Sequence, residues 1–203
     1  MRIFKSLFRA LRGRTGLKET REPTAGEQWR EAFAVAFSVL VLEKTPISSL
    51  VEALPPETRD EVMSTGFDEV EARIFDLWLV SHALRRSVKH ITQPDLLSIL
   101  DAGHLEVYRQ LLGGGMAEDQ IMTLQRCLAQ RYAEYDDAYG RFWAGEENWM
   151  LPLARIVTSY VFRRESSNAR VAATLALAVV NPTVISIGKT FGEFRPPTSN
   201  ARP

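Results

Sequence analysis

Residues 116–143 read MAEDQIMTLQRCLAQRYAEYDDAYGRFW, and this stretch decides the fold class of the chain. Its apolar residues recur at steps of three or four, at Ile121, Leu124, Leu128, Tyr132, Tyr135, Tyr139 and Phe142. Because an α-helix completes a turn about every 3.6 residues, this spacing places them all on one helix face. Glu118 and Asp119 lie in the first turn, where the helix dipole favours negative charge. The stretch therefore predicts a long amphipathic helix.

The second half of this helix carries a high concentration of aromatic side chains. They are Tyr132, Tyr135, Tyr139, Phe142 and Trp143, with Trp149 shortly after. Aromatic residues bury large areas, and a tyrosine hydroxyl usually needs a hydrogen-bond partner. One interpretation is a helix packed inside a bundle, with its hydroxyls near the rim. The other is an aromatic-lined groove that receives a small ligand or a partner helix.

The rest of the chain repeats the helical spacing between turn signals. It predicts further helices at residues 27–44, 69–90, 95–112, 149–164 and 169–180. Two pairs have the three-residue spacing of helix caps, namely Asp68 with Glu71 and Thr92 with Asp95. In the helix at 95–112 the predicted inward residues are Leu97, Leu100, His104, Val107 and Leu111. We therefore predict an all-α fold, a single helical bundle of about six main helices with an N-terminal basic amphipathic helix.

The predicted organisation divides the chain into four segments. They are a basic amphipathic helix at residues 1–13, a linker at 14–26, the all-α helical bundle domain at 27–190 and a tail predicted to be disordered at 191–203. Residues 171–188 carry no charge, but Asn181 and Pro182 interrupt them. We therefore predict a buried last helix there and not a membrane span, which needs about 20 apolar residues.

Wound as a helix, residues 1–13 would have an apolar side and a basic side. The predicted membrane-surface residues are Arg2, Phe4, Lys5, Leu7, Phe8, Arg9, Leu11 and Arg12. Such a helix lies in a membrane interface, with its cations near anionic lipid. We predict reversible attachment to an anionic membrane surface. The alternatives are an organellar leader that is later removed, and a terminal helix packed on the protein's own core.

The charges of the chain are unevenly distributed. There are 25 basic and 25 acidic residues, and residues 1–18 hold six of the basic ones and no acidic one. The remainder therefore has 19 basic against 25 acidic residues, a net charge of −6. This asymmetry indicates a segment that touches an anionic partner. The acidic body does not favour nucleic acid as a partner, because phosphate neutralisation dominates that binding.

The sequence offers no recognisable catalytic or metal-binding motif. The single cysteine, Cys127, excludes an internal disulfide and any multi-cysteine metal site. The histidines His82, His90 and His104 match no metal-binding pattern. His104 falls on the apolar side of its helix, as a hydrogen-bonded core histidine would. We therefore predict no catalytic residue, no metal and no cofactor.

Other charged pairs on the predicted helices have a structural explanation. Glu134 and Asp137 lie one turn apart, which is typical of a solvated helix face. Arg85–Arg86 and Arg163–Arg164 lie near predicted helix ends, where the dipole favours cations.

At Ile74–Val80 the chain reads IFDLWLV, and at Tyr132–Asp136 it reads YAEYD. With the basic amphipathic start, these short runs resemble the ubiquinol–cytochrome c chaperone family. The resemblance implies a helical assembly factor that works at a respiratory membrane. Residues 113–119 lack the Gly-x-Gly-Asp and lysine-rich pattern expected of that family, so we do not assign the chain to it.

These features favour a binding or assembly protein over an enzyme. The leading hypothesis is a non-enzymatic helical protein with a protein partner, attached peripherally to a membrane at its cytoplasmic, inner face. The alternative is a small-ligand-binding protein or enzyme that uses a pocket around Tyr132–Trp143. A third hypothesis is a homo-oligomer whose subunit interface contains the aromatic residues of the predicted helix at 116–143. We call these residues, Tyr132, Tyr135, Tyr139, Phe142 and Trp143, the aromatic stripe.

Overall fold

The computed structural model describes residues 24–44, 54–64, 66–89, 91–143 and 150–163, together with Lys189 and Phe191. Over these residues the chain forms helices and no β-strand, which confirms the predicted all-α fold. The helices are α1 (Ala25–Val39), α2 (Pro56–Ser64), α3 (Glu69–Ser87), α4 (Gln93–Gly113), α5 (Glu118–Trp143) and α6 (Met150–Val161). A π-helical turn, Leu40–Lys44, continues α1.

Several predicted segments lie outside the described residues. They are the N-terminal helix with all its membrane-surface residues, linker residues 14–23, the last helix at 169–180 and tail residues 192–203. Within the described part of the chain, no helix is long and apolar enough to cross a lipid bilayer.

Helix caps explain where three of the helices begin. Asp68 and Thr92 cap α3 and α4 as predicted, because each side chain accepts a hydrogen bond from the backbone N–H three residues later, at 3.1 and 3.4 Å. Helix α1 begins at Ala25, two residues before the predicted start. Its cap is a capping box. The Glu27 amide donates to Thr24 Oγ1, and the Thr24 amide donates to Glu27 Oε2.

The core lies where α3 is enclosed by its neighbours, and α3 is buried almost all round. It packs on α5 and α6. The largest fully buried side chains come from α1, α3 and α5, from the residue that follows α6, and from Phe191: Trp78, Tyr135, Phe33, Phe37, Phe75, Phe162 and Phe191. Because these rings come from distant parts of the sequence, the described residues share a single hydrophobic core.

Helices α1 and α4 approach closely at Gly103. A Cβ atom added there would lie 2.7 Å from Phe37 Cγ, well inside contact distance. The glycine therefore allows the ring of Phe37 to pack against the backbone of α4. Nearby, Gln110 Nε2 donates a 2.9 Å hydrogen bond to Ser38 Oγ and links the same two helices.

The predicted inward face of α4 is wrong in detail. Leu97 was expected to face inward, but it is exposed, whereas Leu96 is buried. The inward face of α4 is rotated so that Leu96, Gly103 and Val107 point toward the core. The predicted tail begins at residue 191, yet Phe191 is 1 % exposed and packs on Phe33, with ring centroids 4.8 Å apart. The core therefore includes the first residue of that tail.

Candidate functional site

Three helices meet at a cluster of polar side chains that we name the polar junction: Ser81 of α3, His104 of α4 and Tyr132 of α5. The Tyr132 hydroxyl lies 2.9 Å from His104 Nε2, and Ser81 Oγ lies 3.2 Å from each of them. The three groups form a closed triangle of hydrogen-bond distances. The polar junction therefore ties α3, α4 and α5 together inside an otherwise apolar core.

Burial sets the protonation states at the polar junction. Burial lowers the pKa of His104 to about 4; the Asp101 carboxylate opposes this shift and the Arg85 guanidinium adds to it. Burial likewise raises the pKa of Tyr132 above its ordinary value. At neutral pH the imidazole is therefore neutral and the phenol keeps its proton. A neutral imidazole can accept the proton of one hydroxyl group, which fits the geometry.

A serine beside a histidine can act as a nucleophile with its base. Here Ser81 is only 1 % exposed. A substrate could not reach its hydroxyl without opening the three-helix junction. The described packing therefore commits the Ser81 hydroxyl to contacts within the core.

Asp136 is the centre of a second polar cluster, between α5 and α3. Its Oδ1 accepts a 2.8 Å hydrogen bond from Trp78 Nε1 and lies 3.1 Å from His82 Nδ1. Its Oδ2 lies 3.2 Å from Arg85 Nη1. Burial would raise the pKa of Asp136, but the hydrogen bonds from His82 and Trp78 and the charge of Arg85 outweigh it, and its pKa lies below the ordinary value. The aspartate is therefore held in its charged form.

The contact with Asp136 fixes the role of His82. A carboxylate is an acceptor, so Nδ1 carries a proton and donates it to Asp136. Among the described residues Nε2 is buried and has no hydrogen-bond partner. The ring instead packs edge-on against Tyr139, with centroids 4.4 Å apart. It is a packed, oriented histidine.

The tyrosines predicted to line a groove point into the core. Tyr135 packs edge-on against Phe75 at 5.5 Å and in a tilted arrangement against Trp78 at 5.3 Å between centroids, and Tyr139 is also buried. This is the arrangement expected of a helix packed inside a bundle. Burial raises the pKa of Tyr135, whose hydroxyl has no partner within the described structure. The side chains of Phe142 and Trp143, and all of Trp149, lie outside the described residues.

An ion pair also links α3 and α5, at Arg131, four residues before Tyr135. Arg131 donates from Nε and Nη2 to the two oxygens of Glu71, both at 2.9 Å, and its Nη1 lies 3.4 Å from Glu134. Its guanidinium carbon lies 3.3 Å from the ring centroid of Tyr160 in α6. The bidentate geometry and the stacking are the interactions that distinguish arginine from lysine.

A cavity of about 260 Å³ lies beside this ion pair. Its lining residues are Asp68, Val70, Glu71, Asp119, Gln120, Thr123 and Arg163. Asp68 is paired with Arg163 at 2.5 Å, and Glu71 is paired with Arg131. Because two of its carboxylates are already neutralised, the cavity offers little uncompensated charge. No group of three or more histidine, cysteine, aspartate or glutamate side chains in the described structure is placed to hold a metal ion.

The remaining candidates from the sequence have ordinary environments. Cys127 is partly buried and packs against the core. Arg86 lies over the ring of Tyr139, with its guanidinium carbon 5.5 Å from the centroid. Asp137 pairs with Arg141 at the surface. Residues His90 and Arg164 lie outside the described residues.

Asp136 belongs to a cluster of three acidic residues on α5, with Glu134 and Asp137, and the clustering alone does not distinguish it from the other two. A signal was present, because Asp136 follows Tyr132 by four residues and precedes Tyr139 by three. That spacing places the carboxylate on the same face as the aromatic stripe. A charged residue on an apolar face usually has a partner there.

None of the known protein families, curated proteins or solved structures compared with the chain matches it.

Proposed function

We propose that this protein is a non-enzymatic binding or assembly protein that attaches to an anionic membrane surface through residues 1–13. The observation that carries the proposal is the separation of charge. Residues 1–18 hold six basic residues and no acidic one, whereas the remainder has a net charge of −6. A basic amphipathic segment binds anionic lipid through its cations and its apolar side together.

The described side chains support a binding role over catalysis. Asp136 is engaged by Trp78, His82 and Arg85, and Ser81 of the polar junction is buried in the core. Polar groups that are committed to each other stabilise the helical body and do not offer a free acid, base or nucleophile. We infer a cytoplasmic protein at the inner face of a membrane, with a protein partner there.

Co-sedimentation with lipid vesicles tests the attachment. The full chain is compared with a truncated protein that begins at Pro23, because this start preserves the Thr24 cap of α1. We expect the full chain to pellet with anionic vesicles, to stay in solution with neutral ones, and to be released by high salt. The truncated protein should bind neither the anionic nor the neutral vesicles. Equal binding by both proteins would contradict the proposal.

A matched pair of variants separates apolar insertion from simple charge attraction. Phe8→Asp places a negative charge on the apolar side of the predicted helix, and Ser6→Asp places the same charge on the opposite side. We expect Phe8→Asp to abolish sedimentation with anionic vesicles and Ser6→Asp to weaken it only modestly. Equal losses would show attraction without insertion and remove the amphipathic part of the proposal.

The alternative, a small-ligand site at Tyr132–Trp143, has a direct test of its own. The described tyrosines are occupied by core contacts, which favours the bundle interpretation. We expect native mass spectrometry of the purified full chain to give the mass of the polypeptide alone, 22.9 kDa, or multiples of it. A reproducible added mass that Tyr139→Ala removes would favour the ligand-binding function.

A further inference from the structure

One face of α4 exposes three leucines. Leu97 is 52 %, Leu105 is 65 % and Leu112 is 43 % exposed. At about 100° per residue, the three side chains lie within about 80° of one another around the helix. Asp101 and Arg109 are exposed on the same face. Large exposed apolar side chains grouped with charges on one helix face mark an interaction surface.

The sequence of this face is self-complementary about Leu105. Asp101 lies four residues before Leu105, and Arg109 lies four residues after it. Leu97 lies eight residues before it, and Leu112 lies seven after it. When two such helices cross antiparallel about Leu105, positions at equal distances before and after it come together. Each aspartate then meets an arginine, and each Leu97 lies opposite Gly113 and next to Leu112 of the other copy.

We propose that this face of α4 is a homodimer interface, in which two copies of the chain pair antiparallel about a two-fold axis at Leu105. An isologous interface of this kind requires one patch that is complementary to itself. The leucines supply the apolar contact, and the Asp101–Arg109 pairs fix the direction. A parallel pair would place Asp101 opposite Asp101 and Arg109 opposite Arg109, so like charges oppose it.

The surroundings of the face leave room for the second copy. Arg109 donates from Nε and Nη2 to Glu106 of its own helix, at 2.8 and 2.6 Å. The guanidinium has five donors, so it can also reach a carboxylate on the partner. A side-chain atom added at Gly113 would meet no atom within 4 Å. This open space lies where Leu97 of the second copy would pack.

The proposed interface differs from the oligomer expected from the sequence, which used the aromatic stripe. Tyr135 and Tyr139 of that stripe are buried in the core, whereas the leucine face is exposed. The proposal is independent of membrane attachment, because none of its residues belongs to residues 1–13.

Sedimentation equilibrium of the full chain tests the dimer. A single helix face gives a small interface, so we expect reversible association between about 1 µM and about 500 µM. Leu105→Lys should give a monomer throughout this range. Met63→Lys is the control, since Met63 is 50 % exposed on α2 and lies outside the face, and it should leave the dimer unchanged. A wild-type chain that stays monomeric at the highest concentration would overturn the proposal.

Charge reversal tests the direction of pairing. We expect Asp101→Arg and Arg109→Asp each to raise the dissociation constant about tenfold or more, and the double variant to restore it to within about threefold. Failure of the double variant to recover would overturn the antiparallel geometry. The truncated protein beginning at Pro23 should dimerise like the full chain. Loss of the dimer on truncation would assign the association to the N-terminal segment and overturn the proposal.

Discussion

At the scale of single residues, two neighbouring tyrosines of α5 have opposite hydrogen-bonding situations. The Tyr132 hydroxyl lies within 3.2 Å of both Ser81 and His104, whereas the buried Tyr135 hydroxyl has no partner among the described residues. We expect Tyr132→Phe to lower the free energy of unfolding by about 1–2 kcal/mol. Tyr135→Phe should be neutral or stabilising by up to about 1 kcal/mol, because it removes an unsatisfied polar group. Urea denaturation measures both, and equal losses would contradict this account.

His104 predicts a pH dependence of stability at the same junction. Its pKa is about 4 in the folded protein, against an ordinary value of 6.5. Between these values the unfolded chain binds a proton that the folded protein does not, so stability falls as pH decreases from about 6.5 to about 4. The loss from this residue should reach about 3 kcal/mol.

A matched variant isolates the contribution of His104. The stability of His104→Gln should fall less steeply over this range, because glutamine does not titrate. The lowered pKa values of Glu106 and Asp136 add an acid-dependent loss that is common to both proteins. The difference between the wild-type and variant curves therefore reports His104 alone. Parallel curves from pH 7 to pH 4 would show that the imidazole is not held neutral.

At the scale of helices, the contact of α1 with α4 depends on Gly103. An added Cβ would lie 2.7 and 2.8 Å from Cγ and Cδ1 of Phe37, a fully buried ring. We expect Gly103→Ala to destabilise the protein by about 1–3 kcal/mol through this overpacking. Gly140 of α5 has open space around its Cβ position, so Gly140→Ala should stabilise by up to about 1 kcal/mol through helix propensity.

Thermal unfolding followed by circular dichroism compares the two glycine variants. The same chemical change in two helices should move the midpoint in opposite directions. A rise in the midpoint for Gly103→Ala would show that α1 and α4 are not in close contact.

At the scale of the whole molecule, membrane attachment and folding should be separable. If residues 1–13 serve the membrane, the truncated protein beginning at Pro23 should keep the free energy of unfolding of the full chain to within about 0.5 kcal/mol. Denaturant unfolding in the absence of lipid measures this. A loss of about 2 kcal/mol or more would favour the alternative in which the segment packs on the core, because burying its apolar side chains would stabilise by at least that much.

Features set by neighbours in sequence could be predicted from the chain alone. The helical class, the length of α5 and the caps at Asp68 and Thr92 depend on residues three or four positions apart. The Thr24–Glu27 capping box had the same local signal, and it was overlooked.

Features that join distant residues needed the tertiary structure. Local sequence alone predicts that the chain is helical, where α3 and α4 begin and that α5 has an apolar aromatic face, because backbone hydrogen bonds and side-chain periodicity act within a few residues. The packing of the helices is needed to show that Asp136 meets Trp78, that Arg131 meets Glu71, 60 residues away, and that α4 buries Leu96 and exposes Leu97. These depend on how each helix is rotated against its neighbours. That rotation follows from the packing of the whole core and from no local pattern.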